Sequence, residues 1–68
     1  MKTISIEKAK HNAKAQSLEK ENKDVAFYII LCNRTGNYYV DNNGLIRTWE
    51  QLIGCYENGV YTAEQSHT

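Results

Sequence analysis

The most distinctive pattern in this chain is the apolar run VAFYIILC at positions 25–32. A strand with one face in water alternates apolar and polar residues, whereas this run is apolar at every position. Its length and its content of β-branched and aromatic residues favour a strand over a buried helix. We therefore expect a central β-strand with both faces covered.

The residues before this run predict a single helix. Strong helix formers fill positions 6–22, which contain neither proline nor glycine, and the hydroxyl of Ser5 is suited to cap the first turn. The apolar stripe of this helix consists of Ile6, Ala9, Ala13 and Leu18. Such a thin stripe gives the helix little stability of its own, so we expect it to pack on a sheet, with the small alanines allowing close approach.

A hairpin is predicted directly after the central strand. Asn33–Asn37 has the composition of a hairpin loop, and Gly36 suits the positive φ of a bulged turn. The return strand would be 38–40, and a loop spanning 33–37 would place Cys32 opposite Tyr38. A register slip of one residue would exchange the two faces of this strand.

A second turn, a third strand and a short helix are expected further along. The turn at 41–44 would lead into a strand at 45–47. Thr48 followed three residues later by Gln51 fits a capping box, which predicts a helix from Trp49 to about Tyr56. The remaining predicted elements are a helix stop at Asn58-Gly59, an additional edge strand at 60–62 and a disordered tail at 63–68.

These elements define one α+β domain at residues 1–62, in which an N-terminal helix packs on a three-stranded antiparallel β-meander with a short C-terminal helix. The two helices would cover opposite faces of the sheet, or one face would be buried in a homodimer. We favour some self-association, because a domain this small buries only about 60% of the surface that its unfolded chain exposes.

Composition sets the broad class. The net charge is zero, yet residues 1–23 carry six lysines against three glutamates, a balance of +3, and residues 24–68 a balance of −3. This dipole is weaker than the basic surplus of most nucleic-acid binders.

Two cysteines are too few for a disulfide framework, and the N-terminus lacks the apolar segment of a secretory signal. We expect a cytoplasmic protein with no membrane segment.

The sequence offers no constellation for catalysis. The four glycines are isolated turn residues, so no glycine-rich phosphate loop is present. Cysteine and histidine are not paired at the close spacing of structural zinc sites, and 41–44 reads as a turn rather than a calcium loop. We expect no enzyme activity, no cofactor and no metal.

Aromatic and arginine side chains are the most suggestive candidates for binding. Tyrosine and tryptophan combine large contact area with a polar tip and are enriched in protein interfaces. The candidate residues for binding a protein partner are Arg34, Tyr38, Tyr39, Arg47 and Trp49. A noncatalytic interaction module is therefore the function that the sequence favours.

Two alternatives remain open. A nucleic-acid-binding protein would use Lys8, Lys10 and Lys14 on the helix, together with the arginines, on phosphates, and a tyrosine of the hairpin to stack on bases. The chain could instead be a subunit of a larger assembly with no activity of its own. The layout of one lysine-rich helix and a tight meander is similar to that of many short proteins encoded by phages and mobile elements, some of which inhibit host defence systems. This resemblance implies an accessory or inhibitor role.

Overall fold

The computed structural model describes residues 5–63, which form one helix and one four-stranded sheet. The elements are helix α1 (Ile6–Ser17), a 3-10 turn (Lys20–Asn22) and strands β1 (Phe27–Cys32), β2 (Asn37–Asp41), β3 (Glu50–Glu57) and β4 (Val60–Ala63). The sheet order is β2-β1-β3-β4, and every neighbouring pair is antiparallel. The α+β class is confirmed.

Helix α1 begins where the sequence predicts and ends earlier. The Ser5 Oγ accepts a hydrogen bond from the backbone N–H of Lys8 at 3.2 Å, as an N-cap should. The helix ends at Ser17, and the Asn22 side chain donates to the Gln16 carbonyl of its last turn at 2.9 Å. Leu18 was expected in the apolar stripe, but it is 61% exposed.

Small residues form the face of α1 that packs on the sheet. Ala9, Ala13 and Ser17 are all buried, and the two alanines form a core with Phe27 and Ile29 of β1. Side chains this small let the helix axis lie close to the strands. The predicted close approach of helix and sheet is thus confirmed, with Ser17 in the place that was predicted for Leu18.

The central strand is covered on both faces, as its pattern predicts. Ile29 and Ile30 are consecutive and therefore point to opposite faces, and both are completely buried. The Ile29 face lies under α1. The Ile30 face is covered by residues of the same chain, since Ile30 is 0% exposed in the single chain. A homodimer is therefore not needed to bury this face.

That cover is the segment 42–49, here called the crossover segment. Strands β2 and β3 lie on either side of β1 and both run antiparallel to it, so the chain must cross β1 between them. Gly44 lies against the ring of Tyr28, since a Cβ built on it would be 3.3 Å from Tyr28 Cζ. The predicted strand at 45–47 is wrong, because these residues carry the chain across the sheet face instead of pairing.

The predicted helix from Trp49 to about Tyr56 is also wrong, because residues 50–57 form β3. Pairing with β1 on one side and β4 on the other overrides the local helix signal. A bulge in this pairing shifts the register between Ile29 and Ile30, and Ile53 joins the core beneath α1. Asn58-Gly59, which the sequence predicts as a helix stop, is instead a two-residue hairpin turn with φ of 53° and 82°.

The first hairpin exists, but its register differs by one residue from the predicted one. Gly36 has the expected positive φ of 76°, and Cys32 lies opposite Asn37 instead of Tyr38. Tyr39 therefore lies opposite Ile30 and shares its face, whereas Tyr38 packs against the core beneath α1. The three-stranded meander is thus replaced by the hairpin, the crossover segment and a second hairpin.

The edge strand predicted at 60–62 is confirmed as β4, and Ala63 is its last residue. The rest of the predicted tail, residues 64–68, lies outside the described part of the chain. Between residues 5 and 63, no helix is long and apolar enough to cross a membrane.

Candidate binding surface

Arg34 and Trp49 meet at the end of the sheet where β1 finishes. The guanidinium carbon of Arg34 lies 3.9 Å from the centroid of the Trp49 ring, and that of Arg47 lies 5.8 Å from it. The backbone N–H of Asn33 donates to the Trp49 carbonyl at 2.9 Å, which extends the β1–β3 pairing past the strand ends. This bond holds the tryptophan next to the hairpin loop that carries Arg34.

Glu50 anchors the same end of the crossover segment from beneath. Its Oε2 accepts a hydrogen bond from the Tyr39 hydroxyl at 2.6 Å, and its Oε1 accepts one from the Arg47 backbone N–H at 2.8 Å. The Arg47 guanidinium lies 3.6 Å from Oε2, and the side chains of Arg47 and Glu50 are 65% and 4% exposed. The carboxylate is thus covered, while the guanidinium above it faces solvent.

The hydrogen bond between Tyr39 and Glu50 shifts both groups. It raises the pKa of Tyr39 to about 12, because ionisation would remove the donated proton and leave two negative charges together. The same bond, supported by the Arg47 N–H, lowers the pKa of the Glu50 carboxyl below its ordinary value. At neutral pH the pair is therefore a neutral donor on a charged acceptor, and the end of the crossover segment is fixed.

Two aliphatic side chains of the crossover segment face solvent directly before Arg47. Leu45 is 79% exposed and Ile46 is 41% exposed. Their backbone is ordered by two consecutive Asx turns, in which the N–H of Asn43 bonds Asp41 Oδ1 at 3.1 Å and the N–H of Leu45 bonds Asn43 Oδ1 at 3.0 Å. The exposed residues Arg34, Leu45, Ile46 and Arg47, with half-buried Trp49, are called the Trp49 surface below.

Four of the five predicted partner-binding residues lie together here. Arg34, Arg47 and Trp49 form the surface, and Tyr39 supports it through Glu50. Tyr38 is separated from them, because it packs on the opposite face under α1. Sequence reasoning missed Glu50, for which the only local signal is its i,i+3 spacing from Arg47.

The lysines considered for nucleic-acid binding lie on α1. Lys8 and Lys14 are exposed, and the Lys10 ammonium lies 4.6 Å from the centroid of the Tyr61 ring. Lys10 therefore has a packing role as well as a charge. The helix covers one face of the sheet and the crossover segment covers the other, so these lysines and Arg47 do not form one continuous surface.

The cysteines and the histidine within residues 5–63 form no metal site. Residues 5–63 contain no group of three or more cysteine, histidine, aspartate or glutamate side chains placed to hold an ion. Cys32 and Cys55 are both half-buried. A hydrogen bond from the Thr35 hydroxyl lowers the pKa of the Cys32 thiol, at the base of the loop that carries Arg34.

Comparison of the chain with protein-family models, with curated protein sequences and with solved structures finds no match. The function is therefore argued from the chemistry of the Trp49 surface.

Proposed function

We propose that this protein is a noncatalytic module that binds a protein partner through the Trp49 surface. The observation that carries the proposal is the Arg34 guanidinium, which lies 3.9 Å from the centroid of the Trp49 ring. The exposed side chains of Leu45 and Ile46 lie shortly before Trp49 in the chain. Tryptophan, tyrosine and arginine dominate the residues that contribute most to protein binding. An exposed apolar group rimmed by polar residues is typical of an interaction site.

The order of this surface supports the same proposal. The hydrogen bonds from Tyr39 and Arg47 to Glu50 fix the end of the crossover segment, and the Asx turns fix its beginning. Side chains that are already held in place lose less freedom on binding, so more of the contact energy appears as affinity.

Affinity capture with paired surface variants tests the proposal. Leu45→Ser and Arg34→Glu alter the surface at exposed positions, and Val60→Ser is the matched control, since Val60 of β4 is 65% exposed. We expect a partner recovered with the wild-type protein to be lost with the first two variants and kept with the control. Circular dichroism confirms that each variant is folded. Equal recovery with all three variants would refute the proposal.

The nucleic-acid alternative has less support, because α1 and the crossover segment lie on opposite faces of the sheet. Its test is fluorescence anisotropy with labelled single- and double-stranded oligonucleotides at low and moderate salt. Binding through phosphates would fall steeply with salt and would weaken in a Lys8→Glu, Lys14→Glu variant.

The cytoplasmic location belongs to the same proposal and rests on the cysteine content. An accessory or inhibitor role, as in the short phage and mobile-element proteins of similar layout, is one form that partner binding would take. If the chain is instead only a subunit of a larger assembly, we expect it to aggregate or partly unfold when purified alone.

A further inference from the structure

We infer that the partner presents an acidic segment to the Trp49 surface, with carboxylates that pair with Arg34 and Arg47 beside an apolar side chain that packs on Leu45 and Ile46. This inference rests on the proposed function and adds the chemistry of the partner to it.

The first argument is the balance of charge at the surface. Both oxygens of Glu50 already accept hydrogen bonds, from the Tyr39 hydroxyl and the Arg47 backbone. Its separation from the Arg47 guanidinium is 3.6 Å, too long for a good hydrogen bond. Arg34 forms no ion pair with any carboxylate among residues 5–63. The surface thus carries two guanidinium groups against one carboxylate, and each guanidinium has five N–H donors. Arg34 is available to an anionic partner, and Arg47 is paired with Glu50 but keeps donors that the carboxylate does not use.

The second argument is the orientation of Arg34. Its guanidinium lies over the face of Trp49 and Arg34 is an exposed residue, so the contact restricts the planar group while the residue stays accessible to solvent. A guanidinium held in this way matches the two oxygens of a carboxylate better than a flexible lysine does. The stack therefore prepares the donor for a planar anion.

The third argument separates a protein from a nucleic acid. Leu45 and Ile46 expose aliphatic groups immediately before Arg47, and a phosphate backbone offers such groups no complementary surface. The chain also has zero net charge, which gives little long-range attraction to a polyanion. An acidic protein segment with an apolar residue satisfies both the arginines and the aliphatic pair.

A displayed library of random peptides, selected on the immobilised protein, tests this chemistry. The wild-type protein is compared with an Arg34→Glu, Arg47→Glu variant and with a Lys8→Glu, Lys14→Glu control of the same charge change on α1. We expect peptides rich in aspartate and glutamate with at least one large apolar residue. Their affinity should fall at least about tenfold in the arginine variant and far less in the control. If charge reversal unfolds the protein, Arg34→Gln with Arg47→Gln replaces it.

The other outcomes overturn the inference in distinguishable ways. Peptides without an acidic excess whose binding is lost in Leu45→Ser would overturn the inference and leave the proposed function standing. A failure to enrich any peptide would overturn the inference, and the affinity capture above would still test the proposed function. Peptides that bind the wild type, the arginine variant and Leu45→Ser equally would overturn both.

Two further measurements examine other occupants. Displacement of a selected peptide by an oligonucleotide, with a steep salt dependence, would assign the arginines to nucleic acid. A concentration-dependent dimer in sedimentation that the arginine variant abolishes would assign the surface to a second copy of the chain. Either result would refute the acidic partner.

Discussion

Replacing Ile30 with valine tests whether the crossover segment seals the second face of the sheet in the isolated protein. Ile30 is completely buried, as is Ile29 on the face beneath α1. Each change to valine removes one buried methyl-sized group, which costs about 0.8 kcal/mol in transfer free energy. With the residual cavity, the expected loss is about 0.5–1.5 kcal/mol for either variant. In a domain of this size, about 1 kcal/mol lowers Tm by about 4–8 °C.

Urea unfolding followed by two probes measures this loss. Trp49 is the only tryptophan in the chain, so its fluorescence follows the end of the crossover segment, whereas far-ultraviolet circular dichroism follows α1 and the sheet. Coincident transitions would justify a two-state analysis. The control is Ile46→Val, at a position 41% exposed, with an expected change within about 0.5 kcal/mol.

The comparison among the three valine variants is decisive. If Ile30→Val costs no more than Ile46→Val while Ile29→Val costs about 1 kcal/mol, the crossover segment does not close over the sheet in solution. The Trp49 surface, which depends on that segment, would then lose its basis.

Further predictions concern three contacts, namely Gly54 with β4, Tyr39 with Glu50, and Ser17 with Gly59. Gly54→Ala places a Cβ 2.8 Å from the backbone oxygen of Thr62, so we expect a loss of about 1–3 kcal/mol by thermal melting; an unchanged Tm would contradict the β3–β4 pairing. The Glu50 pKa is lowered in the folded protein, so its stabilisation is present above the unfolded pKa and disappears as the pH falls through the folded pKa. Tyr39→Phe should therefore reduce stability at neutral pH and reduce its acid dependence, and a difference from wild type that is constant across this range would refute the coupling. The Tyr39 pKa is raised to about 12, so wild-type stability should also fall as the pH rises from 10 towards 12, a loss that Tyr39→Phe lacks. Ser17→Ala removes the acceptor of the Gly59 N–H, now bonded at 3.0 Å, and we expect about 1–3 kcal/mol of destabilisation with faster hydrogen exchange at that amide; unchanged exchange would show that the bond does not hold the turn.

The elements that could be predicted from the sequence are those with local causes. Helix propensity and the Ser5 cap are properties of neighbouring residues, and the doubly apolar run at 25–32 needs no knowledge of topology. The strand β3 depends on partners far away, since Tyr56 lies opposite Phe27 and Leu52 lies opposite Ile30. The capping-box pattern and the helical spacing of apolar residues both favour a helix there. Pairing with β1 and β4 outweighs these local signals.

One signal for the C-terminal hairpin was present in the sequence. Asn-Gly is the strongest two-residue hairpin signal because both residues adopt positive φ readily, and the turn at Asn58-Gly59 has this geometry. The same two residues are expected after a helix that ends, so a helix predicted before them makes them a helix stop. The turn signal by itself predicts two strands around Asn58-Gly59.

The candidate site could be chosen by residue type, but its assembly could not. Arg34 and Trp49 are brought together by the crossing of β1, which is a property of strand order. Tyr38 and Tyr39 exchange faces with a one-residue change of register, and this decides which tyrosine reaches Glu50. Local sequence does not determine either feature.

The contacts between the helix and the C-terminal hairpin bear on the order of events during synthesis. The Ser17 hydroxyl accepts from Gly59, 42 residues later in the chain, and Lys10 lies against Tyr61. The residues of α1 are synthesised first, yet the helix has little stability of its own and contacts Gly59 and Tyr61 only after the C-terminal hairpin has left the ribosome. The entropy cost of loop closure must be met before distant contacts stabilise the fold. We therefore expect the whole domain to fold in a single late step, without a long-lived partly folded intermediate.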